Sequence, residues 1–179
     1  MTRLSYADYL FRMSRYLRHY VPGGTYFFTV VTQNRAPIFK DPDHVAALRE
    51  AMRAVRQRRP FIIHAIVVLP DHLHALWQLP PGDSDFPNRW REIKKRVTRA
   101  LGHAPGQTWQ RRFWEHHIRD AEDWRRHMDY IHYNPVKHGH APHPAAWPWS
   151  SFRRCVARGW YPADWGGTEP HDLRLMDIE

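Results

Sequence analysis

The order in which two hydrophobic periodicities alternate along this chain limits its fold more than any other feature. After the turn signal Pro22-Gly23-Gly24, the run Thr25-Tyr26-Phe27-Phe28-Thr29-Val30-Val31-Thr32 reads as a buried strand. A helix then starts at Asp41-Pro42-Asp43, with Val45, Leu48, Met52 and Val55 as its apolar stripe, and Pro60 stops it. Two further strands, 61–68 and 72–79, flank a break at Leu69-Pro70-Asp71, and Pro80-Pro81-Gly82 closes the second. A second helix near 86–101 turns Trp90, Ile93, Val97, Ala100 and Leu101 inward; Arg89, Arg91, Lys94, Lys95, Arg96 and Arg99 surround that stripe. The segment 109–119 reads as a fourth strand, and a third helix spans 121–133, with Pro135 limiting how far it continues.

Strand, helix, strand, strand, helix, strand is the order of a split βαβ unit, ferredoxin-like or RRM-like. The expected fold class is therefore α+β: an antiparallel sheet, two helices on one face, and a further C-terminal helix. The expected domains are a basic N-terminal arm (1–20, with Arg3, Tyr6, Arg12 and Arg15), a core domain (21–141), and a tail (142–179) that wraps or caps it. No apolar window reaches the length of a membrane span, and no signal peptide is apparent. A single cysteine, Cys155, excludes an internal disulfide, so a reducing cytoplasm is the expected compartment. With 27 Lys and Arg against 18 Asp and Glu, the chain carries a formal charge of +9. Together with 9 Trp, 8 Tyr and 8 Phe, that balance suits a polyanion with unpaired bases that can stack on rings.

Within the third strand, alternation puts His72 and His74 on one face and Leu73, Ala75 and Trp77 on the other. Two imidazoles one strand repeat apart can close on one divalent ion, although His-x-His does not choose the metal. On the third helix, Trp124, Met128 and Ile131 form the stripe, while Tyr130 and Asn134, four residues apart, share a neighbouring face with His127. Taken alone, these histidines and this tyrosine also suit purely structural roles.

Several blocks, in order, resemble a known family. They are Pro22-Gly23-Gly24-Thr25-Tyr26-Phe27-Phe28-Thr29-Val30, Val68-Leu69-Pro70-Asp71-His72-Leu73-His74, Arg89-Trp90-Arg91-Glu92-Ile93-Lys94-Lys95 and Trp109-Gln110-Arg111-Arg112-Phe113-Trp114-Glu115-His116. Asp129-Tyr130-Ile131-His132-Tyr133-Asn134-Pro135-Val136-Lys137-His138-Gly139 and Trp147-Pro148-Trp149-Ser150-Ser151-Phe152 complete the set. Over about 15–166, the chain resembles the REP-associated tyrosine transposases, within the IS200-like transposases and HUH single-strand nucleases.

The resemblance implies that His72 and His74 hold Mg²⁺ or Mn²⁺ at the scissile phosphate and that Tyr130 is the catalytic tyrosine. Asn134 occupies the position where the wider group can supply a third ligand, often Gln. Asn is one methylene shorter, so it departs from that pattern. The implied activity is cleavage and rejoining of single-stranded DNA at repeat-type hairpins through a 5′-phosphotyrosine intermediate. The implied partner is a DNA hairpin with an unpaired flank; a monomer is expected, with a dimer that exchanges the tyrosine helix, as in the wider group, as the alternative. Arg91, Lys94, Lys95, Arg111, Arg112, Arg119 and Lys137 are the expected nucleic-acid contacts. His64 and Asp71 are candidates for orienting the imidazoles, and His127 for carrying a proton. Two other readings stay open: a non-catalytic hairpin-binding regulator, and a metal hydrolase that uses water.

Overall fold

The computed structural model describes residues 18–168 together with Pro170 and Leu173. Arg3, Tyr6, Arg12 and Arg15 of the expected arm lie outside the described residues. Strands β1 (Thr25–Val31), β2 (Ile62–Val68), β3 (His72–Gln78) and β4 (Trp114–His117) form one antiparallel sheet in the order β2-β3-β1-β4. Pleating sorts their side chains. Tyr26, Phe28, Val30, Leu73, Ala75 and Trp77 enter a core shared with α1 (Pro42–Arg58) and α2 (Phe86–Ala100). Phe27 and Leu76 enter a second cluster shared with α3 (Ala121–Lys137) and α4 (Phe152–Ala157). This is the α+β, split βαβ architecture expected from the element order.

The first core is aromatic. Trp77 stacks on Trp90 at 4.2 Å and 13°, and Phe61 lies 4.1 Å from Trp77. Burying each such ring contributes about 1.5–3 kcal/mol. Asp41, Asp85 and Asp120 cap the three long helices by accepting from the N–H of Asp43, Asn88 and Asp123. Gly24 opens β1 where the chain turns tightly. A Cβ there would meet the Val21 carbonyl oxygen at 2.9 Å and the Tyr26 ring at 3.0 Å. Gly24→Ala is therefore expected to destabilise the fold by about 1–3 kcal/mol, seen as a lower urea midpoint at unchanged slope.

Three expectations need correction. The fourth strand is only Trp114–His117, because Lys94 takes the carbonyls of Gln110 (2.6 Å) and Arg111 (3.4 Å), and Trp109 drops into the first core. Helix α3 runs through Pro135 to Lys137. The proline removes only its own N–H, and the end is closed by His138 N–H on the Asn134 carbonyl and by Gly139 at φ 68°. Arg89 is not part of a charged surround: it is 2 % exposed, with its guanidinium on Asp83 and three carbonyls. Past α3, the chain returns along the free edge of β2. Val68 N–H donates to Trp149 O (2.8 Å) and Ser151 N–H to Ile66 O (2.9 Å), so part of an otherwise open edge is paired. Among the described residues, no helix is long and apolar enough to cross a membrane.

Candidate functional site

The second face of the sheet carries the site. His72 and His74 project there side by side from β3, with ring centroids 4.9 Å apart and planes at 79°. Helix α3 packs against β2 and β3 and brings the Tyr130 ring to 5.1 Å from His74. Phe27 is the floor, 5.3 Å from His74 and 5.8 Å from Tyr130. Lys137 Nζ lies 5.3 Å from the centre of the Tyr130 ring, a cation on an aromatic face. Asn134, four residues beyond Tyr130, is 1 % exposed.

Both imidazoles are oriented through their Nδ1 atoms. His72 Nδ1 donates to Asp71 Oδ1 at 2.6 Å, and Arg35 donates to the other oxygen of that carboxylate at 3.1 Å. His74 Nδ1 lies 2.9 Å from the hydroxyl of Thr29, its cross-strand partner on β1. His74 Nε2 and both amide atoms of Asn134 are buried with no hydrogen-bond partner, an arrangement that is costly unless a ligand uses them. Burial lowers the pKa of His72, and the Asp71 carboxylate offsets this only in part. Burial pushes His74 well below the ordinary histidine value, with His72 and His138 adding to the shift. Both rings are therefore neutral at pH 7, the form in which imidazole binds a metal.

The family pattern described as "Transposase IS200 like" matches residues 20–134. The REP-associated tyrosine transposase of Escherichia coli (strain K12) is 52 % identical over 155 residues, spanning 87 % of this chain and 92 % of that protein. This chain belongs to the REP-associated tyrosine transposases of the IS200-like family. Another relative of this transposase group, from Haemophilus influenzae, is 43 % identical over 175 residues, 91 % of this chain and 98 % of its own. A solved REP-associated tyrosine transposase bound to a REP hairpin superposes with a TM-score of 0.82 at 51 % identity, covering 88 % of this chain and 94 % of that one.

Within this transposase the other sequence candidates fall into separate places. Arg91, Lys94, Lys95 and Arg111 line a groove of about 830 Å³ whose apolar wall includes Trp109 and Phe113. Lys94 is committed to its two loop carbonyls, and burial lowers its pKa to about 8. Arg112 is exposed beyond that groove, and Arg119 Nε donates to Asp123 Oδ2 at 3.3 Å. His64 turns to Gln78 (3.3 Å) and lies against Trp124, so its polar contact is made away from the histidine pair. His127 gives its Nδ1 to the Asp123 carbonyl at 2.8 Å.

Sequence reading passed over Arg35, Thr29 and His138. His138 lies 5.7 Å from the His72 ring and was legible as the residue four beyond Asn134. Arg35 had no such signal, because its partner is 36 positions away. It sits at φ 50° next to Asn34 at φ 54°, a left-handed pair of non-glycine residues beside the site. Sequence reading also passed over a second donor group. His116, Asp123 and His127 place ligand atoms within 4.8 Å of one another, a cluster able to coordinate a divalent metal ion. Phe27 separates it from the first pair, 4.8 Å from His127 and 5.3 Å from His74.

Proposed function

We propose that this transposase cleaves and rejoins single-stranded DNA at hairpins, with Tyr130 as nucleophile and His72, His74 and Asn134 as the ligands of Mg²⁺ or Mn²⁺. The observation that carries the reading is the meeting of Tyr130 with the histidine pair, at 5.1 Å from His74, on a patch that holds the unpartnered His74 Nε2 and Asn134 Oδ1. Two neutral imidazoles and an amide oxygen suit a divalent cation. When bound, such an ion polarises the phosphate oxygens and offsets charge in the transition state.

This chain's own residues account for the rest. The Tyr130 oxygen attacks phosphorus and gives up its proton. The bond to the 3′-oxygen breaks, leaving a free 3′-OH and a 5′-phosphotyrosine. An ordinary tyrosine has a pKa near 10, so phenolate is scarce at neutral pH. The Lys137 ammonium lies over the ring and adds positive charge beside the attacking group. Asp71 keeps Nδ1 of His72 protonated, which leaves its Nε2 as the ligand atom, and Thr29 orients His74 through Nδ1 so that its buried Nε2 faces the site. The phosphotyrosine conserves the phosphodiester's free energy, so attack by another 3′-OH rejoins strands without ATP. Arg91, Lys95 and Arg111 supply phosphate contacts beside the Trp109 and Phe113 rings. The hairpin-bound relative supports a hairpin as partner. Histidines and tyrosine of one chain meet directly, which supports a monomer as the active unit.

The test is covalent capture. Labelled single-stranded hairpins from DNA flanking the gene are incubated with the protein and Mg²⁺ or Mn²⁺, then run on a denaturing gel. A denaturation-resistant adduct is expected, and EDTA is expected to abolish it. Asp71→Asn, which loosens His72, is expected to slow adduct formation about 10–100-fold. Tight hairpin binding with no adduct under either ion would replace this reading with the non-catalytic regulator.

A further inference from the structure

The second donor cluster lies where β4 meets the start of α3, outside the machinery described above. We infer that His116, Asp123 and His127 form a transition-metal site, distinct from the histidine pair, that clips the edge strand to the tyrosine-bearing helix. The donors come from both elements: His116 stands on β4 opposite Phe27, while Asp123 and His127 are one turn apart on α3. His116 Nε2 lies 2.8 Å from Asp123 Oδ2, and His127 Nδ1 lies 3.2 Å from Asp123 Oδ1. A tetrahedral ion about 2.0–2.2 Å from each donor needs them about 3.3–3.5 Å apart; the His127 pair with Asp123 is close to that spacing, and the His116 pair, now at hydrogen-bond distance, opens by about half an ångström. The imidazole rings stack at 4.8 Å and 14°, so one must turn to aim at a common centre. His116 is the member that turns, exchanging its bond to Asp123 for the ion, because it stands on a short edge strand with 27 % of its side chain exposed.

Other features favour an ion. Asp123 and His127 are 3 % and 4 % exposed, so the site is largely enclosed. Burial holds His127 at a pKa of about 4, leaving it neutral. Burial alone would raise Asp123, but hydrogen bonds from His116 and the Arg119 N–H outweigh it and hold the carboxylate at about 2. A cleft of about 370 Å³, bordered by Trp114, His117 and Arg119, reaches His116. The ion displaces the Arg119 guanidinium and costs His127 its bond to the Asp123 carbonyl. Two imidazoles and one carboxylate select Zn²⁺ or Co²⁺ over Mg²⁺, which prefers octahedral oxygen.

The experiment uses the full chain freed of metal by a chelator, with Co²⁺ and Zn²⁺ as probes. In a His72→Ala/His74→Ala variant, one equivalent of Co²⁺ is expected to bind with the visible absorption of a four-coordinate ion. Zn²⁺ at about a hundredfold excess over its Kd is expected to raise Tm by roughly 5–10 °C. Both signals should vanish when His116→Gln is added. Should the double variant not fold, His116→Gln in the otherwise native chain must remove one of two Co²⁺ equivalents. The inference is overturned if Co²⁺ and Zn²⁺ leave no signal once His72 and His74 are gone, or if His116→Gln changes nothing.

Discussion

Tyr130→Phe is expected to abolish the covalent adduct and to lower strand cleavage by at least about a thousand-fold, while hairpin affinity stays within about twofold. The substitution removes one oxygen and keeps the ring. Packing on Phe27 at 5.8 Å and His74 at 5.1 Å is a property of the ring, so the site keeps its shape. Lys137 keeps an aromatic face beside it. What disappears is the atom that bonds to phosphorus in the proposed reaction. Tyr133 is a poor substitute, because its ring points to Trp165, 6.4 Å away, on a neighbouring face of α3. Gel capture measures the adduct, and fluorescence anisotropy on the same hairpin measures binding. Cleavage that survives the substitution would sink the proposed nucleophile and leave water in its place.

Arg89→Ala is expected to cost about 3 kcal/mol or more of folding stability. The guanidinium is 2 % exposed and grips Asp83 with two bonds, of 3.1 and 2.6 Å. It also donates to the carbonyls of Arg59, Pro60 and Asp85. Truncation strands all of these acceptors at once, where the end of α1, the entry to β2 and the first turn of α2 converge. Asp83 retains 32 % exposure, so water relieves part of the loss there and none of it at a fully enclosed carbonyl. Urea unfolding at pH 7 measures the difference. The Arg89 hydrogen bond lowers the pKa of Asp83, so its stabilisation is complete above the unfolded carboxylate value near 3.9. It is lost as pH falls through the still lower folded value. The gap between wild type and Arg89→Ala is therefore expected to narrow below about pH 3.5 and to stay constant above about pH 5.

The order of strands and helices was legible in the sequence, and so was the division of β3 into a histidine face and an apolar face. Both follow from the pleat of a strand and the turn of a helix, which are local properties of the backbone written directly into residue spacing. The ordered motif blocks likewise carried the family. Pro135 misled as a helix stop, because a proline inside a helix forfeits one hydrogen bond, and the carbonyls of Asn134, Pro135 and Val136 still accept from the N–H groups of His138, His140 and Gly139 beyond it. Arg89 misled as surface charge, because charge alone does not say whether a carboxylate and three carbonyls wait in the same place.

What the sequence determined by itself, then, is everything periodic: the α+β class, the sheet's two faces, and which residues of β3 and α3 share a side. Only the tertiary structure decided which distant partners meet. Asp71 links Arg35 to His72, residues 149–151 pair with the edge of β2, and β4 brings His116 to Asp123 and His127. The burial of apolar side chains follows from local spacing. Hydrogen bonds and metal-donor sets depend on two segments arriving within about 3 Å of each other, and no local pattern specifies that.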